Sequence, residues 1–313
     1  MDYCSDVGKQ RGAFLCGRSI AWEECNGCIE KEAKDKEKKE SGGEYRMIFY
    51  FSGTGNSRYV AEQVAGATKE EMVCITKQEM NKKKHYILQE GEKLGFVFPI
   101  YWWGMPQLVE EFIQTMEVQL NEKCYVYGVA TYGLEAHNGL KDLEKVLLKK
   151  GITLQASFEV QMVDNYVVAY DMADKEKQDR ICRNAEGKIE DIVRDIMQQK
   201  QSRVTDFIGT TVKPIVHSFY KNTDHRKKFY TTEACTGCGL CAKECPCQAI
   251  ALEDGKPVWK ENCSFCLKCI HSCPARALQH GKGTITRSRY LNSMKNLDIT
   301  SSYCDCNKKG KAL

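Results

Sequence analysis

The sequence predicts an α/β fold, a doubly wound five-stranded parallel sheet, followed by a small cysteine-rich α+β domain. Three observations predict it. Between about residues 45 and 163, short apolar segments alternate with amphipathic helical ones, which requires crossover connections and a parallel sheet covered on both faces. Residues 235–273 form a cysteine-dense tandem repeat. The length of 313 residues allows about two domains. With 42% hydrophobic and 28% charged residues, the composition excludes wholesale disorder and a coiled-coil rod. A net charge of +4, from 46 basic and 42 acidic residues, is too nearly balanced to argue for nucleic acid or an anionic membrane.

The elements follow in order. Residues 45–51 (YRMIFYF) read as the first strand and 57–67 (SRYVAEQVAGA) as its helix; 72–76 (MVCIT) supply another strand. Then come 94–100 (LGFVFPI) with 106–116 (PQLVEEFIQTM), 124–130 (CYVYGVA) with 140–150 (LKDLEKVLLKK), and a last strand in 153–163 (TLQASFEVQMV). The apolar run 94–109 is shorter than the roughly 20 residues that span a bilayer and is broken by Pro99, Gly104 and Pro106, so no membrane insertion is expected. Residues 171–221 read as polar helix, and KNTDHRKKF leads into the cysteines. The N-terminus lacks a basic segment followed by an apolar run, which predicts no secretory leader and a reducing cytoplasm; disulfides are disfavoured for the 18 cysteines.

The repeat has a 28-residue offset. Cys235, Cys238, Cys241, Cys245 and Pro246 are matched by Cys263, Cys266, Cys269, Cys273 and Pro274, each half reading C-x2-C-x2-C-x3-C-P-x2-A-[IL]. Chance placement of eight cysteines at these positions is on the order of 10⁻⁸. Thiolates suit soft iron, and three on one tight loop can cap a cubane whose fourth iron takes a thiolate from elsewhere. A pair of zinc sites would use two C-x2-C pairs instead. The repeat resembles a bacterial dicluster ferredoxin, which implies that Cys235, Cys238, Cys241 and Cys273 hold one 4Fe-4S centre and Cys263, Cys266, Cys269 and Cys245 the other. Cys247 is extra to the pattern and reads as a small structural residue.

The first strand ends in Ser52-Gly53-Thr54-Gly55-Asn56-Ser57 and runs directly into a helix. Small and hydroxyl residues there let backbone N–H groups converge on a phosphate, aided by the helix N-terminus. No G-K-[ST] follows, so this is not a triphosphatase loop, and it is not G-x-G-x-x-G. After the first strand of a parallel sheet, the FSGTGNS string resembles flavodoxins, which bind FMN on a sheet of order 2-1-3-4-5. The resemblance implies that the flavin ring lies between the loops after the third and fourth strands. Those loops carry Pro99, Tyr101, Trp102, Trp103 and Gly104, and Thr131, Tyr132 and Gly133: aromatics for stacking and glycines for close backbone approach. Asn165 and Tyr166 lie near the same rim.

Together the halves resemble a flavodoxin-ferredoxin fusion family of anaerobic bacteria and archaea, over about residues 45–290. The resemblance implies an electron-transfer protein that converts between two-electron and one-electron carriers, its potentials set by burial and hydrogen bonding, with no catalytic acid or base. An apolar wall around the ring would disfavour an anionic reduced flavin, so a low potential is expected. Two alternatives remain open: an FMN-dependent reductase of a small organic acceptor, with Tyr101, Tyr132 or His137 as proton donor, and a redox sensor signalling through the N-terminal segment.

The expected boundaries are 1–44, an extension and charged linker; 45–205, the FMN domain; 206–228, a connection; 229–285, the dicluster domain; and 286–313, a tail. Cys4, Cys16, Cys25 and Cys28 contain one chelating pair and leave a zinc or iron site and a plain thiol-bearing tail both open. Cys74, Cys124, Cys182, Cys304 and Cys306 read as unligated. Lys221, Arg226, Lys227, Lys228, Lys282, Arg287 and Arg289 flank the repeat, as steering charges for an acidic redox protein partner or as a solvated surface. Nucleic acid is not expected as a partner, and a homodimer is left open.

Overall fold

Strand β1 (Met47–Tyr50) is apolar throughout because both of its faces are covered. A computed structural model describes residues 47–137, 139–203 and 207–294, with side chains omitted at 207–212. In chain order there follow α1 (Asn56–Thr68), β2 (Glu71–Cys74), α2 (Lys77–Met80), β3 (His85–Leu88), β4 (Lys93–Pro99), α3 (Gln107–Thr115), β5 (Glu117–Leu120), β6 (Tyr125–Tyr132), α4 (Gly139–Leu148), β7 (Ala156–Gln161), α5 (Lys175–Met197) and α6 (Phe207–Asn222).

Five of these strands form one parallel sheet of order β2-β1-β4-β6-β7, the 2-1-3-4-5 order expected. Alternate residues of β1 feed two cores. Met47 and Phe49 face one side, closed by Leu108 and Phe112 of α3 and Leu140 and Leu143 of α4. Ile48 and Tyr50 face the other, closed by Val60 and Val64 of α1 and Ile189 and Ile192 of α5. Strands β3 and β5 pair in parallel as a separate two-stranded sheet that the sequence does not predict, and the helical stretch expected at 171–221 holds two helices, α5 and α6.

The cysteine-rich part begins at β8 (Phe229–Thr231) and continues through α7 (Leu240–Lys243), β9 (Ile250–Glu253), β10 (Lys256–Trp259), α8 (Lys268–Ser272) and β11 (Leu278–His280). Its strands pair antiparallel, β9 with β10 and β8 with β11. It packs on the sheet domain within one compact unit. Cys247 and Ala249 enter the β1–α3–α4 core, and Tyr220 of α6 joins Phe265, Leu267 and Ile270 in a third core. No helix among the described residues is long and apolar enough to cross a membrane. The N-terminal cysteines, and Cys304 and Cys306, lie outside the described residues.

Candidate functional site

The loop after β1 is held by its own hydroxyls. Gly55 N donates to Ser52 Oγ at 3.1 Å, and Gly55, at φ +101°, adopts a left-handed turn that directs the chain into α1. No side chain caps α1, whereas Thr76 caps α2 and Asp174 caps α5. The N-terminus of this 13-residue helix, like that of α3, has no side-chain cap, and backbone N–H groups at such an end suit an anion. Ser57 Oγ lies 2.7 Å from Thr131 Oγ1, which ties this loop to the end of β6, and Asn165 Nδ2 donates to Thr54 Oγ1 at 2.5 Å.

Between β4 and α3 the chain makes a tight turn, Tyr101 N donating to Gly104 O at 2.9 Å and Gly104 N to Tyr101 O at 3.0 Å. Its central residues, Trp102 and Trp103, have φ of +49° and +63°, a conformation costing a non-glycine residue about 1–2 kcal/mol. Two rings oppose that cost. His217 of α6 holds Nδ1 at 3.3 Å from the carbonyl oxygens of both Tyr101 and Trp102, which requires Nδ1 to carry the proton and donate. Burial keeps this imidazole below its ordinary pKa, and its ring leaves no room for a Cβ on Gly104. His137 packs on Trp103 with ring centroids 4.3 Å apart.

These loops enclose one cavity of about 300 Å³. Ser52, Gly53, Thr54, Asn56, Ser57, Pro99, Tyr101, Trp102, Trp103, Thr131, Tyr132 and Gly133 all line it, and so do Asn165 and Tyr166. Gly55 and Gly104 do not; they shape the loops from behind. The remaining wall comes from farther along the chain: Val216 and Tyr220 of α6, and Phe265, Cys266 and Leu267 of the second cysteine motif. The Tyr101 hydroxyl is buried without a hydrogen-bond partner among the described residues, and burial holds its pKa well above the ordinary value.

The cysteines fall into two groups. Cys235, Cys238, Cys241 and Cys273 line a cavity of about 20 Å³, which brings the thiol of Cys273, from the other half of the repeat, beside the first triplet. Cys245, Cys263, Cys266 and Cys269 are near enough that Cys245 raises the pKa of each of the other three. The repeat extends to the backbone, with Ala249 N donating to Cys245 Sγ and Ala277 N to Cys273 Sγ, both at 3.3 Å. Burial pushes the Cys263 thiol up to about 11 and Cys266 to about 12, so the protein by itself favours their neutral form. Cys245 is held lower by a hydrogen bond from Cys247, whose Sγ is also 3.2 Å from Ser264 Oγ.

Glycines at Gly237 and Gly239, φ +71° and +74°, turn the first triplet. Their counterparts in the second are Phe265 and Leu267, left-handed at +50° and +58°. The strain replaces two hydrogens with the side chains that wall the larger cavity, and Phe265 stacks on His225 at 4.1 Å and 11°. Of the flanking cations, Arg287 and Arg289 are turned onto backbone carbonyls, Arg287 Nη1 on Val167 O at 2.9 Å and Arg289 Nη1 on Thr284 O at 3.0 Å.

Residues 47–191 match the family model described as a flavodoxin domain, and residues 229–251 match that of a 4Fe-4S binding domain. Nothing matches among curated proteins. Similar solved structures include the Trp repressor binding protein of Bacillus subtilis, at 15% identity over 47% of this chain and 95% of that one, TM-score 0.30. The flavodoxin of Streptococcus pneumoniae TIGR4 shows 15% identity over 48% and 97%, TM-score 0.30. Rubredoxin oxygen:oxidoreductase from the anaerobe Desulfovibrio gigas shows 11% over 56% and 41%, TM-score 0.28. At these scores the likenesses support no statement about activity.

Proposed function

From a chain that joins a flavodoxin domain to a 4Fe-4S ferredoxin domain, we propose an electron-transfer protein that passes electrons between FMN and two 4Fe-4S clusters held in one polypeptide. The observation that carries this reading is Cys266. It belongs to the second cysteine group and lines the cavity formed by the phosphate and ring loops, so the two cofactor sites share a wall. FMN exchanges electrons in pairs or singly and a 4Fe-4S cluster singly, which makes the pair a converter between the two kinds of carrier.

The roles of the residues follow from their positions. The N–H groups at the start of α1, with the hydroxyls of Ser52 and Ser57, hold the phosphate. Trp102, Trp103 and Tyr132 would contact the ring, and Phe265 and Leu267 would exclude water beside Cys266. Cys235, Cys238, Cys241 and Cys273 hold one cluster, and Cys263, Cys266, Cys269 and Cys245 the other. Cys238 is exposed, so a redox protein partner would meet the chain at the first group. Such clusters suit a reducing cytoplasm.

The test is cofactor stoichiometry after anaerobic reconstitution, with EPR of the reduced protein. One FMN and about eight irons per chain, with signals from two interacting centres, is the expected result. Eight irons without flavin would reduce the protein to a ferredoxin with a docking domain and overturn the reading.

A further inference from the structure

The polypeptide beyond the second cysteine motif returns to the phosphate loop. Asn292 N donates to Thr54 O at 2.8 Å, and Asn292 Nδ2 donates to Asn56 Oδ1 at 3.1 Å. Tyr290 Oη donates to the same Asn56 oxygen at 2.8 Å, while Asn56 Nδ2 is spent on Val163 O at 2.9 Å. Thr54, Asn56, Tyr290 and Asn292 are all less than a tenth exposed. Both polar atoms of the Asn56 side chain thus have protein partners, which fix its orientation at the edge of the cavity. A second route reaches the loop through His271, in the helix between Cys269 and Cys273. Tyr290 N donates to His271 Nδ1 at 3.1 Å, so the proton sits on Nε2, which donates to Asn165 O at 2.8 Å. Asn165 Nδ2 in turn donates to Thr54 Oγ1.

Residues 290–292 lie outside both domain matches, which end at 191 and 251. We infer that Tyr290 and Asn292 are positioning residues of the phosphate subsite: they fix Thr54 and Asn56 so that the loop's N–H groups converge on a phosphate dianion without rearranging. The inference rests on the reading that the cavity takes FMN. Preorganised donors bind more tightly because less ordering is required at the moment of binding, and the loss of one hydrogen bond that sets such a loop costs about tenfold in affinity.

Riboflavin separates this role from a merely structural one, because it presents the same ring without the phosphate. Flavin-free, cluster-loaded protein is titrated anaerobically with FMN and with riboflavin, for the wild type, Tyr290→Phe and Asn292→Ala, with iron content and cluster EPR recorded on each. Tyr290→Phe keeps the buried ring and removes only the hydroxyl. The expected result is FMN binding about tenfold weaker in each variant, riboflavin binding unchanged and clusters intact. FMN affinity equal to wild type in both variants would overturn the inference, and so would equal weakening of both ligands. A wild type that binds neither flavin, or binds both alike, would remove the FMN reading itself and the inference with it.

Discussion

Gly53 of the phosphate loop lies against the main chain of Cys266: a Cβ on Gly53 would stand 2.7 Å from the Cys266 carbonyl oxygen and 3.0 Å from Tyr101 Oη. A carbonyl in a cysteine loop anchored at both ends cannot retreat as a flexible side chain would. Gly53→Ala is therefore expected to push the two walls of the cavity apart and weaken FMN binding at least about tenfold, while Gly66→Ala, whose added methyl meets open space within α1, stabilises the fold by about 0.5–1 kcal/mol. Flavin titration and thermal melting measure both. Wild-type flavin affinity in Gly53→Ala would show that the close approach is unimportant.

Cys273 shares its cavity with Cys235, Cys238 and Cys241. Cys273→Ser should perturb the centre held by that first triplet and leave the one held by Cys263, Cys266 and Cys269, and Cys245→Ser should do the reverse. Reduced-state EPR of the two variants should show complementary losses. Loss in each variant of the centre held by its own triplet would mean that the halves are independent.

Asp142 and Lys213 form an ion pair at 2.6 Å that pins α6 over the sheet domain, and Asp142 also accepts from Met105 N at 3.1 Å. Asp142→Ala leaves the ammonium, only 9% exposed, without that partner and is expected to cost about 3 kcal/mol, whereas Asp142→Ala with Lys213→Met should recover much of it. Urea denaturation of the wild type and the two variants measures this. A double variant no more stable than Asp142→Ala would refute it.

His217 supplies a pH dependence whose sign follows from its burial. Its folded pKa lies below the ordinary 6.5, with Asp142 opposing the shift and Lys221 and Lys213 adding to it. Above about pH 6.5 the ring is neutral whether the chain is folded or not; below it the unfolded chain takes up a proton that the folded one resists, so stability falls with pH. The urea midpoint should decline between about pH 7 and pH 5, and decline less in His217→Gln. Equal slopes in the two proteins would assign the dependence to other groups.

The sheet order was legible in the sequence because buried parallel strands are continuous apolar runs, as MIFY and LGFVFP are. The β3–β5 pair was not, since HYIL and EVQL are four residues long and half exposed, a signal no stronger than that of a loop. Of the candidate site, the phosphate loop and the eight cysteines could be read from local spacing, and the ring loops from the resemblance to flavodoxins. Tyr220, Phe265, Tyr290 and Asn292 could not, because each reaches the site only through tertiary packing. One of them did leave a trace: aligning the repeat sets Phe265 and Leu267 opposite Gly237 and Gly239, and a bulky residue in place of a left-handed glycine marks a position where the side chain is worth its strain.

The bond from Asn292 to Asn56 joins residues 236 positions apart. During synthesis the sheet domain therefore leaves the ribosome long before the wall and strap that complete its cavity, and the first cysteine triplet emerges before the Cys273 it shares a cavity with. On the proposed reading, a nascent chain lacks part of the flavin site until residue 292 has emerged. Maturation has to wait for nearly the whole polypeptide, and a chain terminated early would carry an open, weakly binding flavin site instead of a half-wired redox centre.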